Sequence, residues 1–276
     1  MHTESVVIKP KGKLSISWKE LKAYRELFFY FAWRDVKVRY KQTVIGASWV
    51  ILQPLSQMII FTIFFNKVAG IGSGNAAVPY AIFSYTGLLF WNLFNGSITR
   101  VSNSMVDNQG VITKIYFPRI ILPFSSVIVG LIDFFFAFLV FVGLMIWFKF
   151  PPTWEAVVLL IPAIFFSCLS ALGVGMFFAA LNVKYRDVKQ IVPFLLSIGL
   201  FVTPVIYPVT SIPQKFQWLL YLNPMTAIIN MMRSSFLNTS PINWPLTFLS
   251  LGVCIVAFII GFVYFKSTER EFADII

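Results

Sequence analysis

The sequence predicts an all-α membrane protein with six transmembrane helices, an N-terminal amphipathic interface helix before them and a re-entrant helical hairpin between spans five and six. Three observations carry that prediction. Hydrophobic residues fill 58% of the 276 positions and charged residues only 12%, against about 25% charged in an ordinary soluble domain, so the chain lacks the polar surface to coat a globule. The charge is missing in long blocks, several of which reach or approach the roughly 17–25 residues a helix needs to cross hydrocarbon. Finally, Lys and Arg collect in alternate segments between those blocks, as a membrane topology requires.

Residues 1–46 read as a tail leading into a basic amphipathic helix over 18–42. Leu21, Tyr24, Leu27, Phe28, Phe31 and Val38 cluster toward one helical face, and Lys22, Arg25, Arg34, Lys37 and Lys41 take much of the rest. Such a helix lies on a membrane surface, or packs on a partner as a soluble helix would. No short isolated apolar core with a small-residue cleavage site is visible there, so the first span is expected to act as its own insertion signal.

The transmembrane domain, 47–265, has spans at about 47–66, 79–99, 120–148, 156–181, 190–207 and 245–265. The fifth is short and carries Pro193 and Pro204, which places it against protein rather than lipid. Residues 66–79 make a Gly-rich turn. The loop 100–119 has room for a short helix, which the Phe117-Pro118 step keeps from running into the third span. Asp187 followed by Gln190 has the form of a reciprocal cap at the start of the fifth helix. The stretch "FQWLLYLNPMTAIINMMRSSFL", 216–237, is apolar enough to cross but is split by Asn223-Pro224. Asn suits an N-cap and Pro the first helical position, so a new helix is expected there, and neither half can span. The hairpin occupies about 208–237. A proline-kinked seventh span is the alternative, and it would move the tail 266–276 to the other side.

With both termini cytoplasmic, 18 of the 22 Lys and Arg lie inside, leaving Lys67, Lys149, Lys215 and Arg233 outside. The net charge of +11 is then topology and attraction to anionic headgroups. The scattered cations form no compact groove, and no nucleic-acid partner is expected.

The chemistry is sparse. There is no G-x-x-x-x-G-K-[ST] phosphate loop and no G-x-S-x-G elbow, and the single histidine, His2, cannot build a metal cluster. Cys168 and Cys254 fall mid-span as apolar filler. Asp133 is the one acid well inside a span; without a basic partner in the other spans it is expected at a polar helix contact or wet cavity, with a proton relay as the alternative. Gln53, Gln57, Phe61 and Phe64 in the first span share a face by spacing, as do Gln190, Phe194, Ser197, Phe201 and Pro204 in the fifth. Two such faces can line a conduit, since aromatic rings offer flat surface to the C–H faces of sugars.

Five stretches in order, "RDVKVRYKQTVIGASWVILQPL" (34–55), "KIYFPRIILP" (114–123), "LNVKYRDV" (181–188), "TPVIYP" (203–208) and "LNPMTAIINMMR" (222–233), together resemble the permease subunits of type 2 ABC exporters for polysaccharides, the group that exports O-antigen, capsule and teichoic acid. The resemblance implies an inner-membrane homodimer bound to two copies of a separate ATPase, which holds the ATP and Mg, and a lipid-linked polysaccharide as substrate. It implies that Trp33 and Arg34 belong to the interface helix and that about 103–115 is a coupling helix whose Asn108 and Gln109 contact the ATPase. By the same resemblance the Tyr185, Arg186 and Asp187 turn lies on that cytoplasmic side, and Tyr207, Trp218, Tyr221, Asn223 and Pro224 belong to periplasmic gate helices. This chain itself is expected to hold no catalytic residue, metal or cofactor. Export of teichoic acid, another polymer or a small hydrophobic drug is the near alternative. A membrane-embedded acyl or glycosyl transferase is the distant one, and it would need catalytic His, Asp or Glu at the membrane interface.

Overall fold

The computed structural model describes residues 22–41, 48–269 and 272, which are helical throughout with short connections and contain no strand. The N-terminal tail with His2, the start of the interface helix with Leu21, the first residue of the expected first span and, apart from Phe272, the tail from residue 270 lie outside the described residues.

In chain order the helices are α1 Arg25–Lys41, α2 Ser48–Phe61 continuing as a π-helix Thr62–Val68, α3 Tyr80–Asp107, α4 Gln109–Ile112, α5 Ile121–Phe148, α6 Trp154–Lys184, α7 Val188–Val202, α8 Gln214–Leu220, α9 Pro224–Leu237 and α10 Trp244–Thr268. Four of them are long and apolar enough to cross a membrane: α2 with its π extension, α5, α6 and α10. Helix α3 is equally long but more polar, because it is the centre of the bundle. It packs against α2, α5, α6, α7 and α9, and its Thr86, Ser97, Ser102 and Ser104 are buried among protein rather than lipid. The expected second span ended at residue 99, where polar residues begin. With no proline before residue 118 to break it, the helix runs on to Asp107.

Helix α7 departs from expectation at both ends. It starts directly after Asp187, yet the Asp187 carboxylate makes no capping hydrogen bond. It stops at Val202, so Pro204 lies beyond the helix and not inside a span running to 207. At 1.5 Å per residue its 15 residues reach about 22 Å. In the single chain only Val188, Val192 and Leu196 are buried, while Ile191, Phe194, Leu195, Ile198, Phe201 and Val202 are exposed. The protein contact expected for this segment is instead made by the irregular backbone after it, where Thr203, Val205 and Ile206 are buried. Non-helical backbone at membrane depth is tolerated where protein surrounds it.

The stretch 216–237 breaks at Asn223-Pro224, between α8 and α9. The Asn223 side chain accepts a hydrogen bond from the Met225 amide at 3.0 Å and donates to Thr203 Oγ1 at 2.7 Å. Helix α9 is buried along almost its whole length, packed on α6, α3 and α10. Beside it, α6 and α10 meet through glycines: a Cβ on Gly261 would lie 1.8 Å from the Gly173 carbonyl oxygen. Small residues allow this approach of backbones, which in lipid is a main source of helix association.

Candidate functional site

One end of the bundle gathers most of the charge. Helix α1 lies against α5, with Phe31 buried and Tyr24, Leu27 and Phe28 half-buried against the same core, as the amphipathic pattern anticipates; Val38 is exposed instead. Phe29, Tyr30 and Trp33 on the same helix are exposed.

Two polar clasps hold α1. In the first, Arg34 Nη2 donates to Asn108 Oδ1 at 2.7 Å and to Asp35 at 2.6 Å, while its guanidinium lies 4.9 Å from the Phe31 ring centre. Asn108 is itself buried, its amide donating to the Ser104 carbonyl at 2.8 Å. Arg34 and Asn108, expected in two separate elements, thus form one contact. Asn108 sits beneath this platform, leaving Gln109 as the exposed member of the expected pair.

The second clasp corrects the expectation that Asp133 lacks a basic partner. Its carboxylate accepts from Arg39 Nε at 3.0 Å, from the Tyr40 hydroxyl at 2.6 Å and from Arg100 Nη1 at 3.3 Å, and Arg39 Nη2 lies 2.9 Å from its other oxygen. Arg100, one residue past the expected end of the second span, lies inside α3, which continues to Asp107. Its path needs Gly130, where a Cβ would stand 2.9 Å from Arg100 Nη2 and 2.5 Å from Ser97 Oγ. Burial and the bond to Asp133 both push the Tyr40 phenol upward. Three donor groups, from α1 and α3, thus converge on the one carboxylate of α5.

Beside this clasp is a cavity of about 290 Å³ of mixed character, with Arg39, Gln53, Asn92, Asn95, Thr99, Arg100 and Asp133 in its lining alongside apolar side chains such as Val50, Leu89 and Phe134. Gln53 therefore stands at its rim. Gln57 faces inward and accepts from Asn92 Nδ2 at 3.3 Å. Phe61, on the same expected face, is buried with its ring T-shaped to Phe65 at 5.4 Å, whereas Phe64 is exposed. Each i+4 step overshoots a full α-turn by about 40°, so the row winds from surface to core by Phe61. The wider π-helix that follows, turning less per residue, carries Phe64 back outward.

The α6–α7 turn belongs to the same end. Asn182 Nδ2 donates to the Ser102 carbonyl and to Asn103 Oδ1, both at 3.0 Å, which fastens the end of α6 to α3 and leaves Tyr185, Arg186 and Asp187 exposed. Arg119 bonds Glu269 through its backbone amide at 3.0 Å and through its side chain, tying α5 to the last turn of α10.

The gate candidates lie at the far end. Trp218 is exposed, Tyr207 is half-buried with its hydroxyl on the Val202 carbonyl at 2.9 Å, and Tyr221 is buried, its hydroxyl accepting from Asn230 at 3.1 Å. Arg233, expected in an outside segment, is only 2% exposed. Its guanidinium donates to the carbonyls of Phe83 at 3.1 Å, Pro204 at 2.6 Å and Val205 at 2.5 Å, and lies 3.6 Å from the Phe83 ring centre. It satisfies the irregular backbone that follows α7. A Cβ on Gly87 would come within 2.4 Å of Arg233 Nη2, so that glycine makes the space. No sequence signal marks Arg233 for this role.

A bundle of long apolar helices around a polar central one, with clasped charges at one end, defines a polytopic helical membrane protein. The chain belongs to the ABC-2 type transporter family, whose sequence profile matches residues 26–237. It is 30% identical over 260 residues to the O-antigen export system permease protein RfbA of Myxococcus xanthus, covering 93% of this chain and 97% of that protein. With RfbA of Klebsiella pneumoniae it shares 28% over 247 residues, 88% of this chain and 92% of the other. With the polysialic acid transport protein KpsM of Escherichia coli it shares 21% over 216 residues, 73% and 78% of the two chains.

Proposed function

We propose that this chain is the permease subunit of an ATP-driven exporter that moves lipid-linked, O-antigen-like polysaccharide across the inner membrane. Two copies pair and bind two copies of a separate ATPase, which carries ATP and Mg; the permease itself does no catalysis. In this reading α2, α3, α5, α6, α7 and α10 are the six spans, both termini are cytoplasmic, and α8–α9 is a re-entrant gate hairpin on the periplasmic side.

The observation that carries the reading is the clasped platform. Helix α1 is fixed to the α3–α4 junction through Arg34 and Asn108 and to α5 and α3 through Asp133. A push on the exposed surface around Gln109, Tyr185, Arg186 and Asp187 therefore reaches the spans as the motion of a packed unit, the kind of rigid-body shift that switches transporters. The names of the relatives supply the cargo class. Phe64, Phe194 and Phe201, exposed on the single chain, line the path between facing copies of α2 and α7, with Gln53 and Ser197 beside them. A polymer advances over such a surface by weak, successive contacts that are easily left.

The test is the fate of the glycan in cells that lack this chain. Polyprenyl-linked glycan should accumulate on the cytoplasmic side and disappear from the surface. Normal surface glycan without accumulation would contradict the proposal.

A further inference from the structure

At the end of the bundle away from α1, the first turns of α6 and α10 and the last turn of α9 enclose a groove of about 820 Å³, within the range of about 300–1,000 Å³ typical of ligand sites. Trp154 and Trp244 flank it, 79% and 45% exposed. Between them lie Glu155, Asn238, Thr239 and Ser240, and none of these four side chains hydrogen-bonds within the described residues. The frame is well fixed. Thr153 caps α6 and donates to the Ser235 carbonyl at 2.8 Å, Ser234 donates to the Ser240 carbonyl, and Asn75 donates to the Asn238 carbonyl at 3.2 Å.

We propose that this groove binds a pyranose unit of a saccharide. Two aromatic faces offer stacking surface to sugar C–H groups, and a carboxylate, an amide and two hydroxyls stand ready for sugar hydroxyls. Charge separates this from a phospholipid headgroup: the only charged group lining the groove is the Glu155 carboxylate, which repels phosphate. The groove rests on the reading of the chain as a polysaccharide permease and adds to it a contact outside the path between the two copies. Its floor, Ser234 and Ser235, belongs to α9, so an emerging glycan held there touches the gate hairpin.

The test is saturation-transfer NMR on the full chain in phosphatidylcholine nanodiscs, with neutral tetrasaccharides of glucose, galactose, mannose and rhamnose as probes. At least one probe should receive transfer at its C–H protons. In Trp154→Ala with Trp244→Ala the affinity should fall about tenfold, equivalent to about 1.4 kcal/mol. Trp154→Phe should retain most of it, and Trp147→Ala, an exposed tryptophan on α5 outside the groove, should retain all. No transfer from the wild type to any probe, equal transfer in the double variant, or preferential retention of phosphatidylglycerol at the tryptophans would overturn the proposal. Binding is read without ATP or transport. A chain that binds sugar but exports none refutes the transport reading alone, and a chain that exports without binding refutes only the groove.

Discussion

Asp133 and Arg233 are both charges held inside a helical bundle, and each is satisfied by a different chemistry. Asp133 has two arginines and a tyrosine. Removing one partner of a buried ion pair costs about 3–5 kcal/mol, but Arg39 is 38% exposed, so Asp133→Asn should cost about 1–2 kcal/mol. Thermal unfolding in detergent reads this, and adding Arg39→Gln to Asp133→Asn should cost little more. Among the described residues Arg233 meets no carboxylate; three backbone carbonyls take its place. Arg233→Met leaves the Pro204 and Val205 carbonyls, which lie outside any helix, buried without donors, at about 1–3 kcal/mol each, so a larger drop in the unfolding midpoint is expected than for Asp133→Asn. Arg233→Lys should fare almost as badly, because a single ammonium cannot reproduce the guanidinium fork. Asp133 was legible in the sequence as an acid needing a partner, since an ionisable group in a span is costly. Its partners were not, because they lie 94 and 33 positions away and hydropathy assigned both to polar segments.

At the scale of elements, the α6–α10 seam depends on glycines that cannot carry a side chain. Gly261→Ala would drive a methyl into the Gly173 backbone, so it should separate the helices and lower the unfolding midpoint. Gly252→Ala on the same α10 meets nothing within 4 Å and should be neutral or slightly stabilising, since Ala favours helix over Gly by about 1 kcal/mol. The pair of variants distinguishes packing from propensity. Asn223-Pro224 was readable as a helix start because cap and first-turn preferences are local. The π-helix that extends α2 is not readable in the same way, and it re-aims Phe64, whereas the drift from Gln53 to Phe61 is the ordinary overshoot of i+4 steps along an α-helix. Helix α3 was likewise cut short, because a polar helix looks like a loop until the protein around it is known.

At the scale of the whole molecule, the chain presents a clasped, charged end, a far end of gate candidates, and an α7 surface that remains exposed in the single copy. The composition alone identified a membrane protein, and the charge distribution suggested an orientation; moving Arg100 and Arg233 into the bundle takes one cation from each side of that count and leaves the bias intact. Which apolar surface would meet a second copy in the proposed pair is not readable from one sequence, since a surface facing lipid and one facing a twin read alike. In a variant lacking the native cysteines, Phe201→Cys on α7 should therefore form a disulfide between two copies in native membranes, while Phe165→Cys, exposed on α6, should not.

The most direct measurement is glycan translocation in sealed proteoliposomes holding this chain, with and without the proposed ATPase partner. Lipid-linked glycan should cross only when both subunits and ATP with Mg are present. Translocation by this chain alone, with no nucleotide, would contradict the division of labour on which the account rests.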